Sequence, residues 1–272
     1  MNYGLFADYH THTYRCGHAT GRAAEYVAAA RAIGLGGIGI SDHLPLLPHP
    51  DPGMNMPPSE LDDYVAEVQE LKATHPGYVL LGIEADFLPG SFSELKSLLE
   101  AYPFDYVIGS VHYLESWGFD SPHQLEEWDR RQIDDVYREY FGLLEEVAAS
   151  GLFTILGHLD LVKKFGHRPS ASVLEMTRRL VGTVARSGLM VELNTAGLRR
   201  PVEEIYPEIS LLRELRGARV PICFGSDAHA PGEVGAGFRE AVALARAAGY
   251  DRVGRLREQG GGLRAALEYQ RL

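Results

Sequence analysis

Apolar residues along this chain form short continuous runs that alternate with stretches of helical periodicity. The runs are Gly4–Tyr9, Gly36–Ile40, Tyr78–Ile83, Tyr106–Val111, Phe153–Leu156, Leu189–Leu193 and Val220–Phe224. Short uninterrupted apolar runs suit strands whose sheet is covered on both faces. Between them, Tyr26, Val27, Ala30 and Ile33 share one helical face, as do Leu61, Val65, Val68 and Leu71, and Tyr137, Phe141, Leu144 and Ala148. Ser91-x-x-Glu94 and Ser172-x-x-Glu175 have capping-box spacing, and Pro58-Ser59 precedes a further helix. About seven β-α units thus follow one another without a linker, sequence repeat or low-complexity segment. The pattern predicts one α/β domain over residues 1–272, closed as a TIM-like parallel barrel rather than left as an open sheet. The tail from Gly260-Gly261-Gly262 onward is expected to be peripheral.

Two connections are long. Leu44–Pro58 holds six prolines, and Tyr113–Arg131 carries Trp117 and Trp128. Both follow strands, so both belong at the C-terminal mouth of the barrel, where long loops commonly act as lids.

Composition narrows the class. Hydrophobic residues make up 45% of 272, enough for a large core, and the net charge is -11. No apolar run approaches the ~18 residues of a membrane span. The first residues, Met1 to Asp8, lack the basic and apolar regions of a signal peptide. Two cysteines, Cys16 and Cys223, do not make a disulfide scaffold, so a reducing cytoplasm is expected. The acidic balance and the absence of a Lys/Arg block argue against a nucleic-acid partner. An acidic protein that handles phosphate also needs a local source of positive charge.

Histidines and carboxylates recur where the predicted strands end. His10 and His12 close the first, with His18 in the following loop. Asp42-His43 ends the second, Glu84 the third, His112 the fourth, His158 the fifth, and Asp227 with His229 the seventh. Residues i and i+2 of a strand point the same way, so His10/His12 and Asp227/His229 can each aim two donors inward. A lone His-x-His is weak evidence, and a lone strand-end acid is as easily a cap. Six strands delivering a donor at the same end point instead to metal. Imidazole and carboxylate suit zinc, iron or manganese, and the sequence does not choose among them. Six or seven donors would serve two ions, and nine suit three ions with a bridging carboxylate. Three divalent ions against Glu84 and Asp227 would make the mouth locally cationic.

The other histidines read differently. His49, His75 and His123 are expected to be solvated loop residues, whereas His167 is evenly balanced because its loop follows a ligand-bearing strand. Arg199, Lys163 and Lys164 are candidate phosphate contacts, with Arg168, Arg200 and Arg15 near the same strand ends. Asn194 ends the sixth strand and is placed to donate to substrate or to orient a ligand. Asp8 and Asp42 are candidates to orient imidazoles, a hydrogen bond to loop backbone being the alternative for Asp42.

The ordered set His-x-His, a third His, Asp-His, Glu, two separate histidines and Asp-x-His resembles the polymerase and histidinol phosphatase (PHP) family over residues 8 to 229. The stretches Cys16-Gly17-His18, Phe104–Tyr113, Gly157–Asp160 and Asn194–Pro201 are similar to its stand-alone histidinol-phosphatase branch. The resemblance implies a distorted (β/α)7 barrel with three divalent metal ions. It implies one ion on His10, His12, Glu84 and Asp227, a second shared by Glu84 with His112 and His158, and a third on His18, His43 and His229. The implied activity is that of a phosphomonoesterase converting L-histidinol phosphate and water to L-histidinol and phosphate in histidine biosynthesis. In-line attack by a metal-bridging hydroxide is expected, with Arg199 and Lys163 or Lys164 stabilising the phosphoryl group. Asp51, Glu115 or Asp120 could meet the histidinol amine. Rival readings are a family member acting on another small ester or nucleotide, an amidohydrolase-like barrel, and a non-catalytic metal-binding protein.

Overall fold

The computed structural model describes residues 3–46, 51, 53–257 and 266–272; His49, Pro48, Pro50, Pro52 and the glycines at 260–262 lie outside them. Seven parallel strands run in chain order around one sheet: β1 (Ala7–Asp8), β2 (Gly37–Ile40), β3 (Val79–Asp86), β4 (Tyr106–Ser110), β5 (Ile155–Leu156), β6 (Met190–Asn194) and β7 (Ile222–Gly225). Backbone hydrogen bonds join the last strand to the first: Tyr9 N donates to Phe224 O at 3.2 Å, and Ala228 N to His10 O at 3.2 Å. The barrel expected from the β-α alternation therefore forms. The run Gly4–Tyr9 gives only a short strand, because Tyr3–Leu5 is a 3-10 turn.

Helices α1 (Ala23–Ala32), α2 (Leu61–Thr74), α3 (Phe92–Glu100), α4 (Ile133–Ser150), α5 (Val173–Ser187), α6 (Ile209–Gly217) and α7 (Phe238–Ala247) surround it. Their boundaries follow local chemistry. Ser172 Oγ accepts from Glu175 N at the start of α5, and Gly188 ends that helix at φ 76°, a left-handed position that glycine takes without strain. Ser91 departs from the capping-box expectation: its hydroxyl donates to Leu88 O and leaves the helix amides alone. The face Tyr137, Phe141, Leu144 and Ala148 is buried as the periodicity requires, but Ile33 is 43% exposed at the end of its helix. No described helix is long and apolar enough to cross a membrane.

Inside the barrel, Tyr9, Leu80, Tyr106, Ile108, Ile155, Met190, Cys223 and Leu256 pack into a separate buried cluster. Tyr106 is accommodated because Gly39 and Gly82 carry no side chain; a Cβ at either would lie within 2.2 Å of the phenol ring or hydroxyl. Leu256 comes from a C-terminal hairpin, Arg252–Arg257 paired antiparallel with Ala266–Arg271. Its amide donates to Tyr9 Oη at 2.7 Å, so this hairpin supports the barrel floor. The peripheral tail expected from the glycine run is corrected accordingly. That run breaks helical and strand patterns but says nothing of the strands on either side.

The connection 113–131 has its own small core. Tyr113–Leu114 pairs with Trp117–Gly118, the indoles of Trp117 and Trp128 meet edge to face at 5.0 Å, and Trp128 stacks on His167 at 4.3 Å. His167 is thereby a packing residue of this loop.

Candidate metal centre

All nine candidate ligands meet at the C-terminal mouth of the barrel, in interlocking groups whose donor atoms lie within 4.8 Å of one another. His10 Nε2 and His12 Nε2 sit 3.2 and 3.5 Å from Glu84 Oε2, and His12 Nε2 is 3.3 Å from Asp227 Oδ1. The other oxygen of Glu84, Oε1, lies 3.0 Å from His158 Nε2 and 3.8 Å from His112 Nε2. His18 Nε2 and His229 Nε2 approach to 2.9 Å. His43 stands between the groups, with Nδ1 3.0 Å from Glu84 Oε2 and its ring stacked on His12 at 4.3 Å.

Among the described residues, His10 Nε2, both ring nitrogens of His12, and Glu84 Oε2 are buried without a well-directed hydrogen bond, although the two Nε2 atoms crowd to 3.2–3.5 Å from carboxylate oxygens. A buried polar atom without a partner costs roughly 1–3 kcal/mol, so such a cluster is unfavourable unless something coordinates it. Several imidazoles and carboxylates aimed at common points are the donor set of a zinc, iron or manganese site. The residues present thus fit metal ions.

Electrostatics agree. Burial opposes the charge of Glu84 and Asp227, yet the surrounding histidines hold both carboxyls well below their usual range. Burial, then His43 and His229, push His18 down to about 4, and the same three influences push His12 down. Neutral imidazoles are the ligand form. Burial lowers His10 and His112 as well, but Glu192, Glu84 and Asp227 raise His10 well above its usual range, and Asp86 and Glu84 raise His112 to about 10, so these two ligands must lose a proton to bind metal.

Part of this arrangement is invisible in the ligand pattern. Glu192 Oε1 lies 2.7 Å from His10 Nδ1, and its Oε2 accepts from His158 N at 3.0 Å. Asp86 Oδ1 is 2.9 Å from His112 Nδ1, and Ser110 Oγ donates to Glu84 Oε1 at 2.6 Å. Gly225 makes room for Glu192, since a Cβ there would fall 1.8 Å from Glu192 Oε1. Asp227 lies beyond β7 in the left-handed region, at φ 51°, so its aim comes from a strained turn rather than from strand alternation.

A model of the PHP domain matches residues 8–196. The chain belongs to the PHP domain family. Among curated relatives, the "Probable histidinol-phosphatase" of Deinococcus radiodurans is 45% identical, over 86% of this chain and 90% of its own length. The histidinol-phosphatase of Bacillus subtilis is 30% identical over 84% and 95%. A crystal structure of the Lactococcus lactis histidinol phosphate phosphatase, complexed with zinc, L-histidinol and phosphate, shares the fold at TM-score 0.79 and 22% identity, covering 96% of this chain and 99% of that one. Asp227 and His229 fall outside the stretch matched to the PHP domain model, but they close the same cluster.

The expected phosphate contacts divide. Arg199, Arg200 and Lys164 line the cavity over the cluster. Arg199 Nη2 donates to Ser226 O at 2.8 Å and lies 3.3 Å from Asp227 O, while Lys164 Nζ donates to Asp120 Oδ2 at 3.0 Å. Lys163 does not line it: its ammonium is buried against Asp160, Glu204 and the Ile205 carbonyl. Adjacent residues of a turn point apart, so one of the pair had to face inward. Arg15 is held by Glu60 and Glu67, and Arg168 by Glu204.

Asn194 orients rather than standing free. Its amide donates to Glu192 Oε2 at 3.1 Å and to Asp227 Oδ2 at 3.3 Å. Asp42 takes the loop alternative, accepting from the Thr13 amide at 2.6 Å and the Thr13 hydroxyl. Burial, only partly offset by those bonds, pushes its carboxyl up to about 7. Asp8 likewise accepts from the amides of Ser226 and Gly235, and no imidazole contact to it is seen among the described residues. Short acids at turns serve free backbone amides first. His75 is half-buried at the end of α2, its amide donating to Leu71 O at 2.9 Å, whereas the exposed His123 also lines the cavity.

Proposed function

We propose that this chain is a metal-dependent histidinol-phosphatase, hydrolysing L-histidinol phosphate to L-histidinol and phosphate. The observation that carries the reading is the convergence of unpaired buried donors, His10 Nε2, His12 Nε2 and Glu84 Oε2, beside Asp227. The relatives' names support the substrate.

Three ions fit nine donors best. His10, His12, Glu84 and Asp227 would hold one, and Glu84 would turn its second oxygen to another with His112 and His158. His18 and His229, with His43 between them and Glu84, would hold the third. When bound, such ions lower the pKa of water and clamp attacking and leaving oxygens. The chain's own residues do the rest. Glu192 and Asp86 keep the proton of His10 and His112 on Nδ1, leaving Nε2 free to ligate. Asn194 fixes Asp227. Arg199 presents its guanidinium beside Asp227, where a phosphoryl group can accept charge-assisted hydrogen bonds, and Arg200 lines the same cavity. Lys164 is paired with Asp120 at 3.0 Å, and Arg199 more loosely with Glu233 at 3.5 Å, so Arg199 is the freer cation.

Steady-state phosphate release from L-histidinol phosphate, compared with a panel of nucleotides and small phosphate esters, tests this. The preferred substrate should be histidinol phosphate. A preference for a nucleotide would replace the substrate assignment, and full activity in protein shown to be metal-free would remove the metals.

A further inference from the structure

The cavity above the cluster, about 700 Å³, carries both signs of charge, with Glu233 beside Arg199 and Lys164 beside Asp120. Arg199 reaches the Asp227 backbone on one side. On the other, beyond His112, stand Asp51, Asp86, Asp120 and Tyr113. The carboxylates converge: after burial itself, Asp86, Asp51 and Asp120 all push the Tyr113 phenol up.

Their charges are not equally available. Asp86 is committed to His112, and Asp120 accepts from Lys164. Asp51 meets only neutral donors among the described residues. Its Oδ2 accepts from Tyr113 Oη at 3.2 Å and its Oδ1 from Gly53 N at 3.3 Å. Its carbonyl accepts from Met54 N and Asn55 N at 2.9 and 2.7 Å, so the turn presets the carboxylate. Glu115 does not line the cavity. A phosphate monoester with its phosphoryl group at the cluster and Arg199 would lay its alcohol toward Asp51 and Tyr113.

We propose that Asp51, steadied by Tyr113, binds the cationic group of the leaving alcohol and so selects phosphate esters of amino alcohols over those of neutral alcohols. This rests on the phosphatase reading above. The half-buried carboxylate is an acceptor for an ammonium or imidazolium donor, and a charge-assisted hydrogen bond there is strong enough to set preference. A neutral ester offers Asp51 no cation and gains nothing from it.

Parallel kinetics of the metal-loaded enzyme on L-histidinol phosphate and phenyl phosphate test it, together with calorimetry of L-histidinol binding. Asp51→Asn should lower the ratio of the two kcat/KM values by about ten- to a hundredfold, mainly through KM for histidinol phosphate. The Kd for L-histidinol should weaken by a similar factor, and Tyr113→Phe should shift both in the same direction by less. An unchanged ratio, an equal loss on both esters, or an unchanged Kd in Asp51→Asn overturns the proposal. Wild-type enzyme with equal kcat/KM for the two esters overturns it too, but leaves a metal phosphatase standing. No hydrolysis of either ester overturns both readings.

Discussion

Glu192 Oε1 lies 2.7 Å from Nδ1 of His10, with both side chains buried. With metal bound, the contact would keep the proton on Nδ1 and leave Nε2 to ligate; without it, burial is outweighed by Glu192, Glu84 and Asp227, which raise the imidazole well above its usual range. Partners of this kind typically change metal affinity 10- to 100-fold. Glu192→Gln should therefore release metal at about 10- to 100-fold lower chelator concentration than wild type. Equal retention would show that His10 is oriented by packing alone.

Asp86 does the same for His112 and adds a pH dependence. With the imidazole raised to about 10, the metal-free protein carries a proton there near neutral pH, and cation binding must expel it. Metal affinity should therefore rise with pH toward that value and fall as pH drops. Asp86→Asn removes the largest upward influence on His112. Calorimetry in buffers of different ionisation enthalpy should find about one proton fewer released per chain. The same proton count in both proteins would contradict the assignment.

Arg199 and Lys163 should separate function from stability. Arg199→Ala should lower kcat/KM for phosphate esters by about a hundredfold, with little change in melting temperature. Lys163→Ala leaves the buried Asp160 without its cation and should cost about 3–5 kcal/mol by denaturant unfolding. A reversed pattern, with Arg199→Ala destabilising and Lys163→Ala kinetically impaired but stable, would exchange the two roles.

The hairpin beneath the barrel makes a further point about stability. Tyr9→Phe removes the acceptor of the Leu256 amide. The loss should be about 1–3 kcal/mol, because the amide is left buried and unpaired. Differential scanning calorimetry should show a lower Tm with metal content unchanged.

What was legible in the sequence followed from periodicity. Short apolar runs gave the seven barrel strands, and donors repeated at one strand end gave the cluster. Glu192 and Asp86 were missed although each sits two residues before or after a noted position, Asn194 or Glu84. The alternation used for His10 and His12 would have found them. Asp8 and Asp42 went the other way, since a short acid beside a turn finds amides closer than imidazoles. Choosing between Lys163 and Lys164 needed the turn geometry, which apolar spacing does not encode. The hairpin at the floor was hidden by the glycines between its strands.

If these strand-end donors grip several catalytic ions together, activity must follow metal content. Metal content by mass spectrometry, measured alongside L-histidinol phosphate turnover while chelated protein is titrated with zinc or manganese, tests it most directly. Turnover should be absent without metal and reach its plateau at about three ions per chain, as nine donors with a shared carboxylate imply. A plateau at one ion, or turnover independent of metal content, would contradict it.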